Sequence, residues 1–369
     1  MATPIVQVNR LNQMQGAFDE VERYLCFIGL GGTNKGTLQT VNTDTDLDDV
    51  LGAETSLLKT QVQAAKSNAG QNWNACVFVL DGVLTWSEAV DYVMEQTSVE
   101  GFVIVDPIAA STDLEAMQTK QGDIMAQYMR PTLFIAAGRQ LAPATDTWSA
   151  YVAELSALTD GIRADAVSIV PYMWGHELGT YAGRLCDRSV TVADSPMRVA
   201  TGTLAGTWSD KPLDKDGRAI DRSILKALES VRFSVPWWYP DYEGMYWTDG
   251  NLLDVSGGDY QVIENLRVVQ KVMRRIYPLA VSRIADRRLN STPTSIAENQ
   301  TYFMRPLREM SKSVQILGNT FPGEVKPPQD GDIVISWPSK YAVEIYSVIR
   351  PYNCPKSITC NLMLDLANA

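Results

Sequence analysis

Between residues 24 and 170 the chain repeats one alternation: a short unbroken apolar run, then a longer stretch with apolar residues three or four apart. The runs fall at 24–28, 75–80, 102–105, 133–137 and 167–170 and are rich in Val, Ile and Phe. A strand covered on one face alternates apolar and polar residues, so runs without polar breaks predict strands buried on both faces. Thr85 with Glu88, and Thr112 with Glu115, have the spacing of capping boxes, in which hydroxyl and carboxylate satisfy the free N–H groups of a helix start. The first pair introduces Ala89, Val90, Val93 and Met94; the second introduces Met117, Ile124, Met125 and Tyr128. A third stripe carries Trp148, Val152, Leu155 and Leu158. Strands alternating with helices in this way predict a doubly wound, mostly parallel sheet with helices on both faces.

From about 180 to 258 the pattern loosens, and the aromatic stretch 236–247, interrupted by Pro240 and Gly244, cannot be one regular helix. A strong helix is expected over 260–277, with Ile263, Leu266, Val269, Val272, Met273 and Ile276 on its buried side. Basic helical stretches follow at about 278–289 and 294–312, then strands at 333–337 and 342–349. The fold class is therefore α/β: a doubly wound, mostly parallel sheet domain followed by an α+β C-terminal domain with extended terminal strands. In the last segment Ile358, Cys360, Leu362, Leu364 and Leu366 alternate with polar residues and Met363, the pattern of a strand with one buried face. Ile5, Val6 and Val8 form a weaker counterpart at the other end. A terminal strand needs a sheet edge, and that edge belongs either to its own sheet or to another copy of the chain.

Charge narrows the function. The net charge of −11 makes nucleic acid an unfavourable partner. The distribution is uneven: residues 259–312 hold ten Lys and Arg against five acids, a local excess of +5. Either these are helix faces with internal ion pairs, or they form a basic surface turned to an acidic partner. No apolar run is long enough to span a bilayer, and residues 1–5 lack the basic and apolar blocks of a secretory signal, so a soluble cytoplasmic product is expected. Cys26 and Cys76 lie in apolar runs as small buried residues, while Cys354 and Cys360 fit no zinc spacing.

Catalytic patterns fail one by one. His176, the single histidine, would need a second histidine at position 180 to make a zinc-protease motif, and Thr180 stands there. The glycine-rich stretch Gly29 to Thr37 has Asn34 where a dinucleotide loop needs glycine, and its Lys35 precedes Gly36, the reverse of a P-loop. Asp81 and Asp106 end two strands, where such sheets bind ligands, but Asp81-Gly82 and Asp106-Pro107 read more simply as turns. The tryptophans between 237 and 247 read as aromatic core. No catalytic, cofactor or metal site is expected, and the protein is not expected to be an enzyme.

Three stretches carry a resemblance. Ile28 to Thr37 followed by Asp46 to Gly52 resembles the opening of contractile phage tail sheath proteins: a strand, a glycine-rich turn with Lys-Gly, then a short helix ending in an apolar residue and glycine. Tyr246 to Gly250, Ser256 to Tyr260, and then Ile263 and Arg267 resemble that family's aromatic strand, Gly-Asp-Tyr turn and long helix with an early arginine. Ala193 to Val199 is similar to its compact phage group. The resemblance implies a structural subunit that assembles helically with copies of itself around a tail tube protein, meets baseplate and terminator proteins, and contracts by rearrangement. It implies no cofactor, no direct nucleic acid contact, no membrane insertion, and a place in the virion tail after assembly in the host cytoplasm. It divides the chain into an N-terminal arm (1–22), an outer α/β domain (23–200), an inner α+β domain (201–350) and a C-terminal strand arm (351–369). It makes Val6, Val8, Ile358, Cys360, Leu362, Leu364 and Leu366 inter-subunit strand residues, and Arg267, Lys271, Arg274, Arg275, Arg283, Arg287 and Arg288 a tube-facing basic surface. A non-contractile tail or baseplate protein, and more remotely a nucleotide-binding α/β enzyme, are the alternatives.

Overall fold

The computed structural model describes residues 21–364. Its centre is a six-stranded sheet in the order β2-β3-β1-β4-β5-β6. The strands are β1 (Leu25–Leu30), β2 (Leu38–Asn42), β3 (Asn74–Leu80), β4 (Gly101–Ile108), β5 (Leu133–Gln140) and β6 (Val167–Tyr172). All neighbours are parallel except β2, which runs antiparallel along the β3 edge. The unbroken apolar runs have a simple cause: each of the five parallel strands buries both faces. Cys26, Ile28, Phe78, Phe102, Ile104 and Phe134 enter one core, whereas Phe27, Val77, Val79, Val103, Val105 and Ile135 enter the other.

The first core is covered by α3 (Trp86–Gln96), α4 (Ser111–Tyr128), α5 (Trp148–Thr159) and α7 (Arg222–Ser230), and the second by α1 (Leu47–Leu51), α2 (Leu57–Asn68) and α6 (Glu177–Cys186). Thr85 and Glu88 form the expected capping box. Thr112 and Glu115 do not. Helix α4 begins two residues earlier behind Ala110, which offers no side-chain cap, so Thr112 lies inside the first turn. Asp106 and Pro107 remain within β4 instead of turning, at a break in its register with β5. A proline that cannot donate to the ladder accounts for that break.

Helix α6 is buried along its whole length. Gly179 and Gly183, one turn apart, lie against the backbone of Gln61 and Ala65 in α2, leaving no room for a Cβ. Gly183→Val is therefore expected to force the two helices apart and cost roughly 1–3 kcal/mol or more, read as a lowered Tm. Glu177, at the start of α6, is buried with its carboxylate accepting N–H bonds from Met173, Trp174, Gly175 and His176 at 2.5–3.0 Å. This carboxylate closes the turn into the helix and gives the Gly-His-Glu stretch a structural role.

The aromatic stretch forms a hairpin, β7 (Pro236–Tyr239) with β8 (Tyr242–Trp247). Trp247 is fully buried and stacks on Tyr181 at 5.1 Å. Residues between 201 and 257 pack with the sheet: Ile220, Leu225, Phe233 and Leu253 join its first core, and Leu204, Trp247 and Leu252 its second. A change of core is therefore not found at the expected 200/201 boundary. It comes along the next helix, α8 (Ile263–Val281), whose Ile263 and Leu266 belong to the sheet's second core and whose Val268 and Val272 belong to a third. That third core adds Phe303, Leu307 and Met310 of α9 (Pro293–Met310) and, further along the chain, Ile333 and Ile335. The separate helix expected at 278–289 is absent. Helix α8 runs on through Pro278 to Val281, and turns connect it to α9. Two small hairpins complete this unit: β9 (Val314–Ile316) with β10 (Asn319–Phe321), and β11 (Ile333–Ser339) with β12 (Ala342–Ser347).

Candidate subunit interface and the anchoring of the chain ends

The β11–β12 hairpin is a two-stranded sheet with no third strand among the described residues. Ile333, Ile335, Trp337, Val343 and Ile345 face the third core, while Val334, Tyr346 and neighbouring Val348 are exposed. Two strands alone make a marginal sheet, and neither outer edge meets another strand among the described residues, although Gln300 donates to the Ile333 carbonyl at 2.9 Å. After β12 the chain has no regular secondary structure through residue 364. The period-two strand expected there is not formed among the described residues. Ile358, Leu362 and Leu364 are 76%, 97% and 84% exposed, and Cys360 is exposed as well. Val6, Val8 and Leu366 lie outside the described residues.

The seven basic residues expected on one surface divide into two groups. Arg267, Lys271 and Arg274 are buried. Arg267 donates from Nε and Nη2 to both carboxylate oxygens of Glu100, at 2.7 and 2.9 Å. Arg274 bonds Glu22 at 3.2 Å and the carbonyl of Pro131 at 2.8 Å, and Lys271 pairs with Glu324 at 2.8 Å. These three consequently leave the proposed tube-facing set. They share one stripe of α8 with Glu264, spaced 264, 267, 271 and 274, so a charged stripe turns inward between apolar neighbours. Burial alone would raise the Glu100 carboxyl, but Arg267 and Arg274 outweigh it and hold the group below the usual range.

Arg287 and Arg288 are exposed and Arg275 is half-buried. Arg283 pairs with Asp286 at 2.9 Å and lies over the Tyr302 ring at 4.1 Å. Arg288 bonds the same Asp286. Beside them the end of α8 exposes Val281 and the turn after it Ile284, the latter at 79%. Sequence periodicity has no means of finding this apolar tip, because exposure in a turn follows no period.

Both chain ends are fastened to α8. At the start of the described chain, the Arg23 backbone N–H donates to Glu100 and its guanidinium to the carbonyl of Val190 at 2.6 Å, next to the Glu22–Arg274 pair. At the other end, the Lys356 ammonium bonds Glu264 and Asp249, each at 2.5 Å, and Ser195 at 2.9 Å. Burial would lower the Lys356 pKa, but the Glu264 and Asp249 carboxylates outweigh it and the net shift is upward. Burial raises Glu264, against the pull of Lys356.

The residues whose sequence context suggests ligand binding resolve differently. Asp81 accepts N–H bonds from Val83 and Leu84 at 2.8 and 2.9 Å, an Asx turn whose bonds hold its carboxyl below the usual range. Asp106 is raised by burial and accepts from the Leu30 backbone. The glycine-rich turn leads into strand β2, so it lacks the helix N-terminus that phosphate loops use. His176 packs on Trp208 at 4.5 Å between ring centres, and burial lowers its pKa. No group of three or more metal-ligating side chains occurs among the described residues, and no described helix is long and apolar enough to cross a membrane.

The arrangement of a doubly wound domain followed by a smaller α+β unit matches the fold of solved contractile sheath proteins. The structure superposes on the sheath of an extracellular contractile injection system (PVC) in its contracted state with TM-score 0.65, at 11% identity, covering 100% of this chain and 99% of that one. It also matches the contracted helical sheath of the anti-feeding prophage with TM-score 0.57, at 12% identity, covering 99% and 100%. The chain belongs to the DUF2586 family, whose N-terminal domain matches residues 3–251 and whose C-terminal domain matches 259–367. A relative from Haemophilus phage HP1 (strain HP1c1), provisionally named a tail sheath protein, is 47% identical over 370 residues, covering 98% of each chain.

Proposed function

We infer that this chain is the structural subunit of a contractile tail sheath, located in the virion tail. Copies assemble helically around a tail tube, and contraction repacks their bodies to drive the tube into the host envelope. One observation carries this reading: an open-edged two-stranded sheet and an exposed, alternating apolar segment occur in the same chain, and neither has a partner strand among the described residues. Each supplies what the other lacks. The C-terminal segment of one copy would add to the β11–β12 hairpin of a neighbour, with Ile358, Cys360, Leu362, Leu364 and Leu366 extending the hairpin's apolar face. Val6 and Val8 would serve the N-terminal arm in the same manner. Backbone ladders survive rotation of the bodies they join, so such strands tether subunits through a change of packing. Head-to-tail contacts of this kind build helices because they do not close on themselves.

The tube-facing surface in this reading is Arg275, Arg283, Arg287 and Arg288 with the apolar tip Val281 and Ile284. Baseplate and tail terminator proteins would cap the ends of the sheath, and assembly would take place in the host cytoplasm. Electron microscopy of the purified protein tests the reading. Long hollow sleeves are expected, and a preparation of monomers or discrete rings would overturn it. Reversing Arg275, Arg287 and Arg288 to Glu is expected to leave the fold and sleeve formation intact but weaken co-sedimentation with tubes by about tenfold, since rim charges contribute on the order of 1 kcal/mol together. Unchanged tube binding would remove these residues from the contact.

A further inference from the structure

We propose that Lys356 is the positioning residue of the C-terminal arm: its clasp with Glu264, Asp249 and Ser195 fixes the point from which the arm departs. This inference rests on the strand-exchange reading above and concerns how that exchange is controlled. An ammonium has three donors, and here all three are used by acceptors from three separate segments. Ser195 comes from the loop after α6, Asp249 from the turn after β8, and Glu264 from the first turn of α8. Three acceptors on different elements fix a point in space, where a single ion pair would allow the chain to swing.

The clasp divides the chain after β12 into two parts. Arg350 is held at the base by Asp332 and by the Lys326 N–H, which donates to the Arg350 carbonyl at 2.7 Å. Between Arg350 and Lys356 the chain is anchored at its two ends while residues 352–355 are exposed; beyond Lys356 every described side chain is exposed and has no such anchor. Opening the clasp would release residues 351–356 as well and add up to about 20 Å of reach at ~3.3–3.6 Å per residue. The two ends of the chain differ in this respect. The N-terminal root is locked by Glu100, Arg267 and Arg274, all buried, whereas the Lys356 side chain is 32% exposed and within reach of water. The C-terminal root is the joint that yields, and it sets how long and how directed the tether is.

A longer, undirected tether lowers the effective concentration of its end at the acceptor. The full chain carrying Lys356→Met together with Glu264→Gln removes the cation and the more deeply buried of its two carboxylates, leaving Asp249 with its bonds from Ser195 and the Gly250 N–H, and Lys356→Arg keeps the cation. The critical concentration for polymerisation, by sedimentation, and Tm are measured for each, alongside a chain truncated after Lys356. The expected result is that the double variant polymerises only at a critical concentration roughly three- to tenfold higher with Tm close to that of the parent, while Lys356→Arg behaves as the parent. An unchanged critical concentration in the double variant would overturn the positioning role while leaving strand exchange standing, provided truncation abolishes polymers. A Tm that falls in step with polymerisation would reduce the clasp to a structural contact. If the truncated chain polymerises normally, strand exchange itself fails and the clasp with it.

Discussion

A chain ending at Lys356 is expected to fold, remain soluble and form no polymer. The described residues beyond Lys356 add no ladder to any sheet, and their apolar side chains are almost fully exposed. Removing surface that is not buried costs no hydrophobic stabilisation, so Tm should stay within about 2 °C of the parent, and solubility should improve as exposed Leu362, Met363 and Leu364 disappear. The loss falls entirely on association. Without the arm the open edges of the β11–β12 hairpin have no strand to receive, and sedimentation should show monomers at concentrations where the parent forms sleeves. A truncated chain that unfolds would assign the segment to its own core. One that polymerises would assign assembly to the globular bodies.

The second large effect is on stability, and it separates two arginines that look alike in sequence. Arg267→Glu is expected to cost at least about 3–5 kcal/mol, lowering Tm by on the order of 10 °C or preventing folding, whereas Arg287→Glu should leave Tm within about 1 °C. Arg267 is bidentate to a carboxylate that is 1% exposed, and its reversal would set two buried carboxylates against each other. Glu100→Gln should be nearly as damaging, because Arg267 would lose its counter-charge and Arg274 would keep only Glu22. The same pair predicts an acid limit. Glu100 has a carboxyl held below its ordinary value, so it contributes stability above the unfolded carboxylate pKa, and that contribution is lost as pH falls through the lowered folded value. Thermal denaturation of the parent and of Arg287→Glu between pH 7 and pH 3 should show this loss equally. Equal tolerance of Arg267→Glu and Arg287→Glu would refute the buried network.

Much of the sheet is legible in the sequence because strands buried on both faces leave an unmistakable trace: Phe27 and Ile28 are adjacent and apolar because they enter opposite cores. Antiparallel β2 is not, since Leu38 to Asn42 at a sheet edge is half polar and carries no such run. The capping pair at Thr112 fails for a local reason: the helix finds an earlier start without needing a side-chain cap. The basic segment misleads because charge counted along the chain ignores helical phase. Arg267, Lys271 and Arg274 share an inward stripe with Glu264, and their partners Glu100, Glu324 and Glu22 are distant in sequence. A count of charges carries no information about such pairs. The alternation at 358–364 has the period of a strand and forms none among the described residues, for a pattern names only the face a strand would bury and not the chain it would bury it against.

Helix α8 is about 28 Å long at 1.5 Å per residue, and the described chain is bonded to it near both ends, through Glu22 and Lys356. In a lattice joined by the chain's two tails, tension entering a protomer at one of these bonds leaves at the other along this rod. The six-stranded body shares that load where Arg23 bonds Glu100 and the chain enters β1, in the middle of the sheet. Its outermost strand, β2, and the turns on that side become the places where added domains or altered surfaces would leave the mechanics of the sleeve untouched.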